Sequence, residues 1–272
     1  MDNDYTVTRF PRIRRGMVDY FHLAWSKHNF RVLFDLDVTD IRRAIRRYRR
    51  DTGNELSLTA YLISVYSHLV GEQPAMQAYR KGIRKLIVYK DVDVNTLVER
   101  KVEGEMHATT YILRRANTKS FDEIQSELTA AKSATSQSAF AGDTVKNKGS
   151  SYAKLPRFVR RLLLRYSRWN PHFRRRIFGT VGFSAVSMYA RQTGYPVVIT
   201  PHTLGIVLGG IGKKPAVVGD EIKPREMLSV AVSFDHDVLD GAPATRFLST
   251  FTRRCLRCHG LEAYAPKTDS QV

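Results

Sequence analysis

The stretch from Met227 to Phe251, MLSVAVSFDHDVLDGAPATRFLSTF, leaves few choices of local structure. Val230, Val232 and Phe234 alternate with Ala231 and Ser233, the two-residue period of a strand that runs up to Asp235. A polar turn follows, carrying His236, Asp237, Asp240 and Gly241. Pro243 suits a first helical turn, because its φ is already helical and its missing N–H would have no partner there. Ala244, Phe247, Leu248, Phe251 and Cys255 then recur along one helical face. A histidine and a carboxylate are thus held on a strand-to-helix turn, where two rigid elements can fix their geometry.

With 272 residues, 43% of them apolar, the chain can bury a substantial core, and it reads as a single domain over 1–272. Charged residues interrupt every apolar stretch near the N-terminus and no run approaches membrane-spanning length, so a cytoplasmic protein is expected. Cys255 and Cys258 are too few and too close for a disulfide framework. The net charge of +18 is unevenly spread: no Asp or Glu occurs between Thr144 and Gly219, and a second basic run, RRAIRRYRR, covers Arg42 to Arg50. Such a field favours an anionic partner: a phosphorylated cofactor, a membrane surface, an acidic protein or nucleic acid.

Upstream, a helix is expected from about Arg14, a strand over Phe30 to Asp37, and a helix capped at Thr39 or Asp40 with Ile41, Ala44, Ile45 and Tyr48 packed and its arginines in solvent. Ser57 or Thr59 starts an apolar helix that Pro74 closes. Strands are expected at about Ile83–Tyr89, Val92–Glu99 and His107–Leu113, then a helix from Phe121 opened by the capping box of Ser120 and Glu123. Residues 133 to 151 have loop composition. In the following LPRFVRRLLLRYSRWNPHFRRRIFG, Leu155, Phe158, Val159, Leu162, Leu163 and Tyr166 recur at helical spacing among arginines. Three readings stand for this basic amphipathic helix: a lid over an active-site channel, a membrane-surface segment, or a docking site for an acidic partner.

The H-x-x-x-D-G of His236 to Gly241 sits between its strand and an A-x-x-F-L helix. Arg12 to Tyr20, FDLDVTDIRRAI from Phe34, SLTAYLISVYSHL from Ser57, GTVGFSAVS from Gly179 and LGIVLGGIGKKPAVV from Leu204 precede it in order. Together these resemble the catalytic domain of the acyltransferase component of 2-oxo acid dehydrogenase complexes, a relative of chloramphenicol acetyltransferase. The likeness covers most of the chain from residue 8 to residue 255. It implies an α/β fold like that of chloramphenicol acetyltransferase, a mixed sheet flanked by helices, with the active site at a homotrimer interface. It further implies acyl-CoA as substrate, with a lipoyl group on another protein or a small molecule as the other partner, and no metal.

Acyl transfer requires an acceptor thiol or hydroxyl to lose its proton as it attacks, and an imidazole with an ordinary pKa of ~6.5 does this near working pH. By resemblance His236 is the general base, acting through Nε2. Ser184 matches the serine that supplies an oxyanion hydroxyl, from a neighbouring subunit, with Ser187 as a less favoured substitute. Asp240 matches an aspartate that pairs with an arginine of the N-terminal helix, here Arg14 or Arg15, and Gly241 completes the motif.

Three departures from the family stand out. NTLVERKVEGEM replaces a glycine-leucine turn and P-V strand, Asp237 replaces the arginine of D-H-R, and no lipoyl or subunit-binding domain or Pro/Ala-rich linker accompanies the catalytic part. The segment of about 140–178 is least like the family and reads as a basic insertion. A non-catalytic trimeric scaffold holding an anionic partner is the alternative function. Nucleic-acid binding would explain the charge but not His236, Ser184 and Asp240. The C-x-x-C-H of Cys255 to His259 lies at the terminal helix without an export signal, which argues against haem, and offers too few ligands for zinc. Gly182–Val186 lacks the second glycine of a nucleophile elbow, and Gly209, Gly210 and Gly212 lack phosphate-loop spacing and read as a strand-turn. His202 and His259 read as surface residues.

Overall fold

The computed structural model describes residues 4–10, 12–102, 105–133, 140–141, 155–185, 193–197 and 199–266. The chain begins with helix α1 (Arg12–Ala24), strand β1 (Asn29–Asp37) and helices α2 (Thr39–Thr52) and α3 (Leu58–Glu72). A short hairpin of β2 (Tyr79–Lys81) and β3 (Lys85–Ile87) follows, then β4 (Val94–Val102), β5 (Glu105–Leu113), α4 (Phe121–Ser133) and β6 (Phe140–Ala141). Helices α5 (Arg157–Trp169) and α6 (Pro171–Phe178) lead into β7 (Val181–Ala185), β8 (Leu204–Val218), β9 (Glu221–Asp235) and α7 (Gly241–Leu256).

Seven strands form one mixed sheet in the order β1-β9-β8-β7-β4-β5-β6. β7 lies between β8 and β4 and runs parallel to both, whereas β1, β9 and β8 form an antiparallel meander-like edge. Val230, Val232 and Phe234 of β9 meet Ile206, Leu208 and Phe183 in a core closed by α2, α3, α4 and α7. The C-terminal half of β9, from Leu228 to Asp235, is buried on both faces, because Ser229, Ala231 and Ser233 are also sealed.

Local signals were obeyed where they were strongest. Ser57 caps α3 by accepting from the Ala60 N–H at 3.1 Å, and Ser120 and Glu123 satisfy each other's backbone N–H groups. The α2 face of Ile41, Ala44, Ile45 and Tyr48 is buried and its outer arginines are solvated. The expected strand over Ile83–Tyr89 is instead the β2–β3 hairpin, turning at Gly82 with φ +63°. The glycines at 209, 210 and 212 do not make a turn: β8 continues through them with a register shift between Leu208 and Ile211. A side chain at Gly209 would strike the Gly194 carbonyl, so the bare backbone there is needed for close approach within a strand.

Candidate active site

The turn after β9 is pinned by its own backbone. The Asp235 N–H donates to the Thr203 carbonyl at 2.9 Å, and the His236 N–H to the His28 carbonyl at 2.8 Å. The N–H groups of Val238 and Leu239 both return to the Asp235 carbonyl. The His236 ring packs edge-on against Phe30, at 5.1 Å between centroids, and Phe30 in turn stacks on Phe234. Its Nδ1 faces Asp240 Oδ1 at 3.7 Å, and no hydrogen-bond partner is found for Nε2 among the described residues. The imidazole is thus about half exposed and is positioned by its backbone and by Phe30, with no ring hydrogen bond among the described residues.

Asp240 occupies the cap position of α7 but its side chain makes no cap hydrogen bond, and it is largely exposed. The expected pairing with Arg14 or Arg15 does not occur among the described residues of one protomer. Helix α1 is drawn elsewhere: Asp19 is buried against Arg160 of α5 at 2.7 Å, which leaves Arg14 in solvent and places Arg15 on the groove between α1 and α5. The side chains that clamp this turn come instead from the residues just after α1 and from β2. Lys27 forms a buried ion pair with Asp235, and His28 Nδ1 meets Asp237 Oδ1 at 2.8 Å. Arg80 of β2 reaches the other Asp237 oxygen at 3.4 Å.

The electrostatics follow these contacts. The His28 hydrogen bond, with Arg80 and Lys27 nearby, holds the Asp237 carboxyl below the usual carboxylate range. Burial, helped by the Arg174 guanidinium, pulls the Lys27 ammonium down from its ordinary range while Asp237 opposes the change. Gly241 opens α7 with open space where a Cβ would stand, so no close approach within the protomer demands glycine.

Ser184 lies on β7, half-buried, on the sheet face that also carries Gly182. Register pairs it with Val207 of β8, which pairs with Ala231 of β9. Two strand spacings and about five residues of rise therefore separate it from His236, roughly 15–20 Å. The two cannot touch one carbonyl within a protomer. Ser187 lies outside the described residues, as does most of the 133 to 151 loop.

His202 is not a surface residue. It is 1% exposed, with Nε2 donating to the Phe178 carbonyl at 2.7 Å and Nδ1 accepting from Thr200 Oγ1 at 2.7 Å. A Cβ on Gly182 would come within 3.1 Å of that ring, which accounts for the glycine two residues before Ser184. Burial drives the His202 pKa from its ordinary 6.5 down to about 3. The folded ring stays neutral while the unfolded one takes a proton below about 6.5, so nothing is lost above pH 7. As pH falls from there toward 3, this group removes up to about 1.4 kcal/mol of stability per pH unit. His202→Gln is expected to show a shallower acid slope in denaturant midpoints between pH 6.5 and 4; an unchanged slope would exclude His202 as its source.

His259 is exposed beside Glu262, as expected, while Cys255 and Cys258 are buried free thiols, both held protonated by desolvation. No group of three metal-ligating side chains occurs among the described residues. The contacts to this turn missed in sequence, from Lys27, His28 and Arg80, are separated from their carboxylates by 208, 209 and 157 positions.

Residues 178–258, from the end of α6 through β7, β8, β9 and α7, match the family described as 2-oxoacid dehydrogenases acyltransferase (catalytic domain). The chain is also 33% identical over 72 residues to the dihydrolipoyllysine-residue succinyltransferase component of the Saccharomyces cerevisiae 2-oxoglutarate dehydrogenase complex, a match covering 26% of this chain and 16% of that protein. The fold match is much wider. A probable dihydrolipoamide acetyltransferase from Listeria monocytogenes superimposes with a TM-score of 0.66 at 15% identity over 99% of both chains. The Azotobacter vinelandii dihydrolipoamide acetyltransferase, investigated for a serine, a histidine and an asparagine in its mechanism, gives 0.65 at 16% identity over 96% of both. The whole architecture is therefore that of these acyltransferase catalytic cores, and the family segment is the part that holds Ser184, His236 and Asp240.

Proposed function

We propose that the chain is an acyltransferase that moves an acyl group between coenzyme A and a thiol or hydroxyl acceptor, a dihydrolipoyl group being the first thiol to try. The observation that carries this reading is His236, fixed by backbone hydrogen bonds on the family segment with Nε2 open. In the Azotobacter enzyme named above, the asparagine follows the histidine by four positions, the spacing of His236 and Asp240. We read residues 1–272 as one catalytic domain that contains the basic segment of about 140–178.

In the forward direction Nε2 removes the acceptor S–H proton as the sulfur attacks the thioester carbonyl. Negative charge then gathers on the carbonyl oxygen, where a placed hydroxyl is worth roughly 3 kcal/mol. Ser184 is assigned that task, from a second copy of the chain, since one protomer holds it too far from His236. Collapse expels the coenzyme A thiolate, which takes the proton back from the imidazolium. Asp240 is assigned to the orientation of Nδ1.

The test is thiol release from a panel of acyl-CoAs with dihydrolipoamide and with hydroxyl acceptors. Turnover supports the enzyme, and its absence with every pair would favour the non-catalytic scaffold. A shared site makes a further demand. Co-refolded His236→Ala and Ser184→Ala chains are expected to recover activity that neither variant has alone, and a mixture as inactive as its parents would rule out the shared site.

A further inference from the structure

Helix α5 divides its apolar residues between two sides. Its inward face carries the buried Arg160 and Ser167 with the half-buried Val159, Leu163 and Leu164, while Phe158, Leu162, Tyr166 and Trp169 lie in solvent at 73%, 65%, 50% and 68% exposure. These four fall at i, i+4, i+8 and i+11, a single stripe, and Arg157, Arg161, Arg165 and Arg168 form a second stripe beside it. Helix α1 repeats the arrangement. Asp19 faces in to meet Arg160, and Met17, Val18, Phe21 and Trp25 face out. Between the two ridges runs an open groove of about 470 Å³ lined by Arg15, Arg157, Arg160 and Arg161 along with Val18 and Asp19.

We infer that α1 and α5 together form a docking face for the surface of a bilayer containing anionic lipids. The two apolar ridges enter the headgroup–acyl boundary, and the arginines along the groove and beside it take the lipid phosphates. Interfacial helices combine Trp, Phe and Leu on one side with Lys and Arg flanking them, and Trp favours the depth at which hydrocarbon meets headgroup. Charge complementarity selects this occupant: α5 belongs to a stretch, Thr144 to Gly219, without a single acidic residue to repel headgroups. The face is peripheral, since no described helix is long and apolar enough to cross a membrane.

The chain's two tryptophans, Trp25 and Trp169, both stand on this face, so intrinsic fluorescence reports on it directly. The full chain is mixed with phosphatidylcholine vesicles, with or without one part in three of phosphatidylserine, some carrying brominated acyl chains. Expected are flotation and bromine quenching with the anionic vesicles at moderate salt and neither with the neutral ones. Arg161→Gln and Arg165→Gln should each weaken the partition about fivefold, and Leu162→Ser with Trp169→Ser should lower it at least tenfold. Sedimentation without lipid is run on the same variants. Unquenched tryptophans, equal binding to neutral vesicles, or an oligomer that falls apart in Leu162→Ser/Trp169→Ser would each overturn the inference, the last by showing the face to be a contact between copies.

Discussion

His236→Ala is expected to lower kcat for thiol release by about 10²–10⁴-fold, the range associated with loss of a placed general base. The imidazole is half exposed, and Phe30 is its one aromatic contact among the described residues, so stability should change by no more than about 0.5 kcal/mol. That contrast separates chemistry from folding. If the variant unfolded with the wild type but retained turnover within tenfold, another group would have to take the proton. Asp240→Asn should be milder than His236→Ala, since the carboxylate stands 3.7 Å from Nδ1 and in solvent.

The second large effect belongs to Lys27, which carries no chemistry in the proposed reaction. Lys27→Ala should destabilise the protein by about 3–5 kcal/mol, because it leaves the Asp235 carboxyl buried without the Lys27 amine that donates to it. Asp235 is 1% exposed, so water cannot replace the amine. Lys27→Met with Asp235→Leu should restore most of the loss, since the pair's desolvation cost disappears together with its attraction. Denaturant unfolding of the two variants checks both statements. A Lys27→Ala loss below about 1 kcal/mol would mean that the pair is open to solvent. Because Asp235 immediately precedes His236 and accepts the turn's N–H groups, the single variant should also reduce turnover through misplacement of the imidazole.

Much of the site could be read along the chain because its parts are local. The period of two up to Asp235, the proline in the first turn of α7 and the helical spacing to Cys255 are short-range patterns, and a strand, turn and helix formed from them in order. The same holds for the Ser57 cap and the Ser120–Glu123 box. The H-x-x-x-D-G spacing likewise put His236 and Asp240 on one turn, where their side chains do meet. The bulge at Gly209 and Gly210 was misread as a turn because glycine marks both, and only the paired strand β9 shows that β8 continues.

What the sequence by itself determined is therefore the set of elements and the residues that face the same way along each. Tertiary structure decided which of two faces turns inward, and which distant charge meets which. Periodicity gave α5 its sides, but only the buried Asp19–Arg160 pair turned Arg160 toward the protein and left Phe158, Leu162, Tyr166 and Trp169 outside. Arg14 and Arg15 do not reach Asp240 among the described residues of one protomer, and Lys27, His28 and Arg80 hold the turn through carboxylates too distant in sequence for any local pattern to disclose. A helix's period is a property of its own backbone; its rotation about its axis is set by the partners that folding brings to it.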